Sequence, residues 1–361
     1  MQEPLISVVM PVYNAADTLA RALSSLEKQS IGFEKLEVLI AEDCSPDGSR
    51  ELCEAYAEGR ENVKLILMEK NSGFAGAPRN AALEKASAPY IMFLDADDEY
   101  EKDACLMLYE AAEKHGADIV SGYFSERHTG DGSLDREISS DYASMREGVC
   151  EFSESMSGWR PVSDALWCKI YKRDIIEKNS LRFQTDIPGE DVIFLAAYLC
   201  RCRKGVYIKK KILNYTVKDL SVSHGPSARF FLLTPLQLQR LRELLEKEGR
   251  GEFFREFMED FAAVDYYLGR LIAECAAFDD ETLLNILKAW RSAAEYALRE
   301  KLTLHGPLVR LLVEKLVSDF EGALFACCCL CETVSLRERE KKDILDSRSW
   351  KLASKIARVF Q

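Results

Sequence analysis

The sequence predicts an α/β fold, a mostly parallel sheet with helices on both faces, followed by an all-helical C-terminal domain. Over roughly the first 125 residues, short apolar runs alternate with helix-period patterns, a rhythm typical of a parallel sheet covered by helices. From Pro226 onward the pattern is helical, rich in Leu, Ala, Glu, Arg and Phe, with no strand pattern. A chain of 361 residues is long enough for two domains. We therefore predict domains at residues 1–225 and 226–361.

The elements of the first domain can be assigned in order along the chain. After the first apolar run, Leu19, Leu23 and Leu26 recur at helical spacing. The predicted strands are Ile6–Met10, Leu36–Ala41, Val63–Met68, Tyr90–Leu94 and Ala117–Tyr123, and the further predicted helices are Asp47–Glu58, Ala77–Ala86 and Glu101–His115. Ligands of such a sheet bind at the carboxyl ends of the strands.

The pattern changes after this region. Residues 125–158 are polar and rich in Ser, Gly and Asp, which predicts a long loop or an insertion on the acceptor side. Mixed structure resumes at Trp159, and Gly189–Cys202 predicts a helix. Two short strands, Val206–Ile208 and Ile212–Thr216, are predicted on either side of a basic tip at residues 209–211.

Composition and charge exclude several classes of protein. The chain is 47% hydrophobic and 30% charged, as in soluble proteins with a core. Its net charge of −12 disfavours a general nucleic-acid binder, which needs a basic face. The segment from Met1 to Met10 lacks a signal-peptide pattern, and no apolar run reaches the roughly 20 residues that span a bilayer. We expect a cytoplasmic protein, or one peripheral to the inner face of the membrane.

The twelve cysteines are irregularly spaced. In a reducing compartment such cysteines are buried thiols more often than disulfides. A cluster at residues 327–331 contains one CxxC, but a structural zinc site uses four ligands and the sequence offers no second pair. We therefore favour core-facing thiols over a zinc or redox site.

A polar loop follows each of the first four predicted strands, at the edge where a parallel sheet binds ligands. Each loop alone has the composition of a turn or a helix cap, but capping does not readily account for all four. The loops are Pro11-Val12-Tyr13-Asn14, Glu42-Asp43-Cys44-Ser45-Pro46-Asp47-Gly48-Ser49, Asn71-Ser72-Gly73 leading to Arg79-Asn80, and Asp95-Ala96-Asp97-Asp98. These loops together predict a binding site.

The acidic cluster is the sharpest of these features. In an extended segment Asp95 and Asp97 point the same way, and converging carboxylates repel unless a cation joins them. Hard oxygen ligands suit Mg²⁺ or Mn²⁺, and a diphosphate would complete the shell of an ion held by two carboxylates. Such a metal neutralises charge on a phosphate leaving group. The alternative is that the cluster caps the next helix, a role that fits Asp98.

These motifs, in this order, resemble the family 2 glycosyltransferases of GT-A fold. Two later segments extend the resemblance, which covers residues 4–225. Leu166-Trp167-Cys168-Lys169-Ile170-Tyr171-Lys172-Arg173 resembles the family's Trp-x-Lys-x-Tyr-x-Arg segment, and Gly189-Glu190-Asp191 resembles its Glu-Asp catalytic motif. One departure is Glu42, where the family usually has an Asp.

The resemblance implies a role for each matching residue. Asp43 would accept a hydrogen bond from uracil, Arg79 would lie near the base or diphosphate, and Asp95 and Asp97 would hold the ribose and a Mn²⁺ or Mg²⁺ ion. The implied nucleotide-sugar-binding set is Pro11, Val12, Tyr13, Asn14, Asp43, Asn71, Gly73, Arg79, Asp95, Ala96 and Asp97. His224 is an implied third metal ligand, against the alternative of a loop histidine without that role.

Asp191, with Glu190 beside it, is the implied catalytic pair. An acceptor hydroxyl must lose its proton as it attacks the anomeric carbon, and a nearby carboxylate can take it. Attack opposite the leaving diphosphate inverts that carbon. The alternative is that the two acids only stabilise a helix N-terminus. Likewise Trp159 and Trp167 either line the acceptor site or are core residues.

The function that follows is an inverting hexosyl- or N-acetylhexosaminyltransferase that moves a sugar from a nucleotide sugar, a UDP-sugar by preference, to a glycan or lipid-linked acceptor. One alternative is a nucleotidyltransferase-like enzyme, but the Gly-rich, Lys-bearing phosphate loop expected of it is missing. Another is a non-catalytic nucleotide-sugar-binding module, although the acidic positions are intact. Homo-oligomerisation is left open.

The C-terminal tail from Ser347 is basic and amphipathic. Trp350, Leu352 and Ile356 can share one face, with Lys351 and other basic residues elsewhere. Such a helix can lie on an anionic membrane surface, and the segment resembles the Ser-x-Ser-Trp-x-Leu tail of bacterial surface-polysaccharide glycosyltransferases. Docking on its own domain, or a dimer contact, is an equal alternative.

Overall fold

The computed structural model describes residues 3–128, 147–151, 165–217, 227–260, 263–320, 322–323, 326–327 and 329. The chain divides into two compact units. The sheet unit comprises residues 1–224 and 243–250, and the helical unit comprises 225–242 and 251–361. The domain boundary at 225/226 stays a prediction. His224, Trp159 and the tail from Ser347 lie outside the described residues.

A nine-stranded sheet organises the sheet unit. Its strands are β1 (Ile6–Val12), β2 (Leu36–Glu42), β3 (Val63–Leu67), β4 (Tyr90–Phe93), β5 (Glu99–Tyr100), β6 (Ile119–His128), β7 (Gly148–Glu151), β8 (Lys169–Lys172) and β9 (Lys204–Val217). They lie in the order β3-β2-β1-β4-β8-β6-β9-β5, with β7 paired to β9. The first four strands are parallel, as their alternation with helices predicted.

Helices lie between the strands of the sheet unit along the chain. They are α1 (Leu19–Glu27), α2 (Ser49–Ala57), α3 (Gly76–Leu83), α4 (Ala104–His115), α5 (Arg173–Lys178) and α6 (Glu190–Leu199), with a 3₁₀ turn at Phe33–Lys35. Strands β1 and β2 are almost wholly buried, as expected for a sheet covered on both faces. The helix-cap alternative for Asp98 is wrong, because α4 begins at Ala104 after Asp103 and the Asp98 carboxylate accepts from Thr216 N instead.

The other half of the sheet is mixed. Strand β8 runs antiparallel between β4 and β6, and β9 runs parallel to β6. The two short strands predicted around residues 209–211 are one continuous strand of 14 residues. Its ladder with β6 shifts register on either side of Tyr123, where Gly122 lies too close to β9 for a side chain. A Cβ on Gly122 would lie 2.3 Å from Ile212 Cγ1, so the lysines occupy an irregular stretch of strand and not a turn.

The loop predicted over residues 125–158 is wrong in part. Strand β6 continues to His128, and residues 148–151 form β7 on the edge of β9. Residues 129–146 and 152–158 lie outside the described part of the chain.

A buried carboxylate fastens the first three strands to one another. Glu37 on β2 accepts hydrogen bonds from Ser7 on β1, from Lys64 on β3, and from the backbone and hydroxyl of Ser87 before β4. Burial raises the pKa of Glu37, but these hydrogen bonds outweigh it and hold the pKa below its ordinary value of 4.5. The charged form is therefore the one that the fold stabilises.

The helical unit contains only helices among its described residues. They are α7 (Ala228–Lys247, whose last residues belong to the sheet unit), α8 (Gly251–Asp260), α9 (Ala263–Glu274), a 3₁₀ turn at Cys275–Ala277, α10 (Asp280–Arg299) and α11 (Pro307–Ser318). None of the helices that the structure describes is long and apolar enough to cross a bilayer.

Pro235 lies inside α7 and has no N–H to donate to the carbonyl of Phe231. The indole of Trp290 takes its place, since Trp290 Nε1 donates to Phe231 O at 2.9 Å. Trp290 is fully buried on α10. The broken turn of one helix thus fixes the position of another.

Candidate active site

The sheet order brings the predicted loops to one edge. Strands β2, β1 and β4 are neighbours and run parallel, so their carboxyl ends meet at the same edge. The loops that begin at Tyr13, Asp43 and Leu94 leave the sheet there. Tyr13 is half exposed at this edge, whereas Val12 is buried and its carbonyl accepts from Asp43 N at 2.8 Å.

Three side chains of the loop after β2 hold the loop after β1. Ser45 Oγ accepts from Asn14 N at 3.1 Å, Ser49 Oγ from Ala15 N at 2.8 Å, and Asp47 Oδ2 from Ala16 N at 3.0 Å. Asn14 has a left-handed backbone with φ of 50°. The Ser-x-Asp-x-Ser spacing of the second motif therefore shapes the first.

The departure at Glu42 has a structural explanation. Glu42 is fully buried, and its carboxylate accepts from the backbone of Cys44 at 3.2 Å and of Ser45 at 2.6 Å. Cys44 has a φ of 59°, a conformation in which two successive N–H groups can point at one carboxylate. Glu42 therefore holds the backbone of the loop that follows Asp43.

Asp43 is buried, and the loop after β3 donates hydrogen bonds mainly to its Oδ2 atom. Ser72 donates to it through its backbone N–H and, at 2.8 Å, through its hydroxyl, and Asn71 Nδ2 donates at 3.2 Å. Burial raises the pKa of Asp43 above its ordinary value of 3.8, and nearby Glu42 adds to the rise, although the Ser72 hydrogen bonds oppose it. Ser72 was not among the residues predicted from the sequence, where Ser in Asn-Ser-Gly reads only as a turn residue.

The start of α3 packs against the segment that precedes α6. A Cβ on Gly76 would lie 1.9 Å from the carbonyl oxygen of Gln184, so only glycine fits there. Asn80 on α3 and Phe183 in that segment form two hydrogen bonds. Asn80 Nδ2 donates to Phe183 O at 3.0 Å, and Phe183 N donates to Asn80 Oδ1 at 2.8 Å. Residues far apart in the sequence are thereby held at the same edge.

Arg79 joins the acidic cluster to the Glu-Asp motif. Its Nη2 donates to Asp95 Oδ1 and its Nη1 to Glu190 Oε1, each at 2.7 Å. Burial disfavours the charged guanidinium, but Asp95, Glu190 and Asp191 outweigh this and raise the pKa of Arg79. Burial also raises the pKa of Glu190, against the influence of Arg79. The sequence placed Arg79 near a nucleotide and did not indicate this double ion pair.

Asp191 occupies the first turn of α6. Gly189 precedes the helix with a φ of 68°, and Asp191 is half-buried while Glu190 is buried. Acids in a first turn are favoured by the helix dipole. The charge of Asp191 also acts on Arg79, which pairs with Asp95, so the carboxylate lies near the acidic cluster, and a helix-terminus role and a catalytic role are compatible.

Arg21 on α1 braces the acidic cluster from the opposite side. Its Nη2 donates to Asp97 O and to Thr216 Oγ1, both at 2.9 Å. Asp98 Oδ1 accepts from Thr216 N at 2.8 Å, and burial raises the pKa of Asp98 well above its ordinary value. Arg21 was also missed, because an arginine on an amphipathic helix gives no sequence signal of its contacts.

The chemistry of the acidic cluster fits a hard divalent cation, although the chain supplies few ligands. Asp95 and Asp97 present carboxylate oxygens, the type that Mg²⁺ and Mn²⁺ prefer. Within the described ranges no group of three or more His, Cys, Asp or Glu side chains is arranged to hold a metal. An ion here would need oxygen atoms from a ligand such as a diphosphate.

Most of the predicted site residues therefore lie along one edge, in or beside the loops that end β1 to β4 and at the start of α6. Trp167 belongs to the aromatic packing instead, stacked on Tyr215 with ring centroids 5.2 Å apart and edge-on to Phe124 at 4.6 Å. His224 and the acceptor-site candidate Trp159 lie outside the described part of the chain.

Comparison with known proteins identifies the type of domain. Residues 7–178 match Glycosyl transferase family 2. The chain is 29% identical over 223 residues to glycosyltransferase GlyA of Streptococcus pneumoniae, and this alignment covers 60% of this chain and 31% of that protein. It is 29% identical over 234 residues to a poly(ribitol-phosphate) beta-glucosyltransferase of Bacillus spizizenii, covering 63% of this chain and 35% of that protein. The chain thus spans about a third of the length of these two relatives.

Solved structures show the same fold. Staphylococcus aureus TarS in complex with UDP superimposes with a TM-score of 0.63 at 18% identity, over 92% of this chain and 91% of that chain. TarS in complex with UDP-GlcNAc superimposes with a TM-score of 0.65 at 18% identity, over 92% of each chain. The predicted fold class is confirmed.

Proposed function

We propose that the protein is an inverting glycosyltransferase that uses a UDP-sugar, because residues 7–178 match Glycosyl transferase family 2 and the chain shares its fold with TarS. The observation that carries the proposal is the gathering of Asp43, Asp95 and Asp191, from three separate motifs, along the edge where this sheet type binds ligands. An inverting transfer from a nucleotide sugar needs groups that hold the nucleotide, a positive group that offsets the charge of the leaving diphosphate, and a base at one place.

In this proposal the donor lies across the loops after β1 to β4. Asp43, held by Ser72 and Asn71, accepts a hydrogen bond from the imide N–H of uracil. Pro11 to Asn14 border the base, together with Asn71 and Gly73, and Asp95 to Asp97 border the ribose and diphosphate. The choice of UDP is supported by the TarS structures, whose ligands are UDP and UDP-GlcNAc.

Asp191 is the proposed general base. It takes the proton of the acceptor hydroxyl as the oxygen attacks the anomeric carbon, and the bond to the diphosphate breaks on the opposite face. One inversion follows from one displacement. A half-buried carboxylate that is open to the sheet edge has the chemistry for this role.

A Mn²⁺ or Mg²⁺ ion is the proposed cofactor, held by Asp97 and Asp95 with His224 as a candidate third ligand. When bound, the ion neutralises charge on the leaving diphosphate. The chain's own part is to hold Asp95 and Asp97 in position. Arg21 donates a hydrogen bond to the backbone carbonyl of Asp97, and Arg79 donates one to the carboxylate of Asp95.

The proposed acceptor is a hydroxyl of a surface glycan or of a lipid-linked precursor. Two relatives are named for action on poly(ribitol-phosphate), namely the Bacillus spizizenii protein and TarS. A polymer assembled at the membrane is consistent with a protein that works at the inner face of the membrane, and the basic tail from Ser347 is the proposed contact with its surface.

The test is release of UDP from a panel of UDP-sugars with Mn²⁺, comparing wild type with Asp191→Asn. We expect one sugar to support slow hydrolysis, and the variant to lose it by about 100-fold or more while it still binds UDP. Asp17→Asn, an exposed carboxylate in the loop after β1, is the matched control and should retain turnover. If calorimetry with UDP and Mn²⁺ detects no binding by the wild-type protein, the UDP-sugar proposal is wrong.

A further inference from the structure

A single buried guanidinium lies between the donor side and the base side of the candidate site. The Arg79 side chain is 6% exposed and that of Glu190 is 10% exposed, whereas that of Asp95 is 28% exposed. Buried charges interact strongly, and removing one partner leaves another uncompensated. A change in the charge or in the partners of Asp95 therefore changes the electrostatic interaction between Arg79 and Glu190.

Glu190 is placed to act on Arg79 and not on a substrate. Its carboxylate oxygen Oε1 lies 2.7 Å from Arg79 Nη1 and is nearly enclosed, while Asp191 next to it is half-buried. A group that is closed off from the sheet edge cannot take a proton from an acceptor there. The arrangement separates the two acids of the Glu-Asp motif into different roles.

A chain of contacts links Arg79 to α6. The Arg79 guanidinium lies 5.5 Å from the centre of the Phe183 ring, and Phe183 stacks on Phe194 of α6 with ring centroids 4.0 Å apart. Asn80, the next residue on α3, exchanges two hydrogen bonds with the Phe183 backbone. Helix α3, the lead-in to α6 and α6 itself are thus packed as one body.

We propose that Arg79 and Glu190 are positioning residues that couple occupancy of the donor site to the placement of Asp191. This inference rests on the proposed function. A donor that engages Asp95 competes with Arg79 for the same carboxylate, and the charge of Arg79 is then balanced by Glu190 at the start of the helix that carries Asp191. The base is held in place when the donor is bound.

The coupling must act in both directions. Glu190→Gln keeps the shape of the side chain and removes its charge. Asp95 is then the only carboxylate of the pair that still forms an ion pair with Arg79. Asp95 becomes less available to the donor, so binding of UDP with Mn²⁺ should weaken by about fivefold or more, although Glu190 does not reach the donor. The turnover number should also fall, by about 10- to 100-fold, because the base is misplaced.

The experiment is a double-mutant cycle on UDP–Mn²⁺ binding, measured by calorimetry with wild type, Arg79→Gln, Glu190→Gln and the double variant. We expect Glu190→Gln to have no further effect once Arg79 is replaced. Glu274→Gln is the matched control, since Arg270 and Glu274 form a similar 2.7 Å pair within the helical unit, with side chains 10% and 20% exposed. It should leave binding unchanged. Arg79→Met, which removes the charge and keeps a long side chain, replaces Arg79→Gln if the latter does not fold.

A second measurement does not depend on any ligand. Hydrogen exchange of the α6 peptide is compared between wild type and Asp95→Asn, and we expect the first turn of α6 to exchange about threefold more slowly in the variant, because Arg79 then pairs with Glu190 alone, as it does when a donor engages Asp95. An additive binding cycle, or unchanged exchange in Asp95→Asn, overturns the coupling. Failure of the wild-type protein to bind UDP counts against the proposed function alone, and exchange then decides the coupling.

Discussion

At the scale of single residues, the site depends on carboxylates whose surroundings make each one different. Asp43 is enclosed by hydrogen-bond donors, Asp95 shares an arginine with Glu190, and Asp98 is buried beneath the cluster. The sequence predicted which acids matter, because they follow apolar strands. It did not indicate their partners, since Ser72, Arg21 and the Arg79–Glu190 pair are contacts between distant segments.

Asp43 leads to a prediction about pH. Because burial raises its pKa above 3.8, the carboxylate that we propose as the acceptor for uracil takes up a proton at a pH above that value. UDP affinity should therefore fall as the pH is lowered through the raised pKa of Asp43. Asp43→Asn should bind UDP about tenfold more weakly or worse near neutral pH, and without this pH dependence. Calorimetry across pH, with circular dichroism to monitor folding, checks both expectations.

Asp17→Asn provides the comparison for that titration. Asp17 is an exposed carboxylate in the loop after β1, so its replacement should preserve both the affinity and its pH dependence. A pH dependence that survives in Asp43→Asn would assign the titration to another group and contradict the role given to Asp43.

At the scale of elements, periodicity predicted the parallel half of the sheet well and the mixed half poorly. Strands β1 to β4 are bounded by turns and follow the βαβ rhythm, so their pattern is visible locally. Strand β9 was predicted as two strands because residues 209–211 are basic, but its partners β6, β5 and β7 keep it extended. Pairing between distant segments has no local signal, which is also why β7 was missed.

The lowered pKa of Glu37 leads to a prediction about how the free energy of unfolding depends on pH. Its pKa is lowered in the folded protein, so its contribution to the free energy of unfolding is fully present above 4.5 and is lost as the pH falls through the lowered value. Glu37→Gln should lower that free energy by about 1–3 kcal/mol near neutral pH, since an amide N–H₂ then faces donors, and by less below about pH 4. Urea unfolding at both pH values measures the difference, and Glu61→Gln, at an exposed position, should match wild type at both.

Trp290 and Pro235 give a prediction for the helical unit. Trp290→Phe leaves the buried Phe231 carbonyl without its donor and should cost about 1–3 kcal/mol in the free energy of unfolding. Pro235→Ala restores a helical N–H for that carbonyl, so Trp290→Phe should cost less in its presence. Chemical denaturation of the four proteins measures the coupling, and strictly additive costs would show that the indole hydrogen bond does not compensate for the proline.

At the scale of the whole molecule, the sequence predicted one α/β part and one helical part, and the structure has a sheet unit and a helical unit. The proposed donor site lies entirely on the sheet unit. The contact pattern assigns residues 243–250 to the sheet unit, an arrangement that no composition change in the sequence signals.

Calorimetric unfolding should therefore show two transitions, of which UDP with Mn²⁺ raises only one. A ligand stabilises the unit that binds it, by about 2.7 kcal/mol when present at 100 times its dissociation constant. Asp97→Asn should abolish the shift and leave the other transition unchanged. If both transitions rise together by the same amount, the two units unfold as one and the separate description is wrong.

The hydrogen bonds between the loops after β1 and β2 have a consequence for engineering the donor preference. Ser45, Asp47 and Ser49 satisfy three successive N–H groups of residues 14–16, so neither loop keeps its shape without the other. Replacing only one of these loops with that of a relative would leave those N–H groups without their hydrogen-bond acceptors. Segments 11–18 and 42–49 should therefore be exchanged together. Chimaeras that take both segments from the same relative should fold, whereas chimaeras that take only one of them should not.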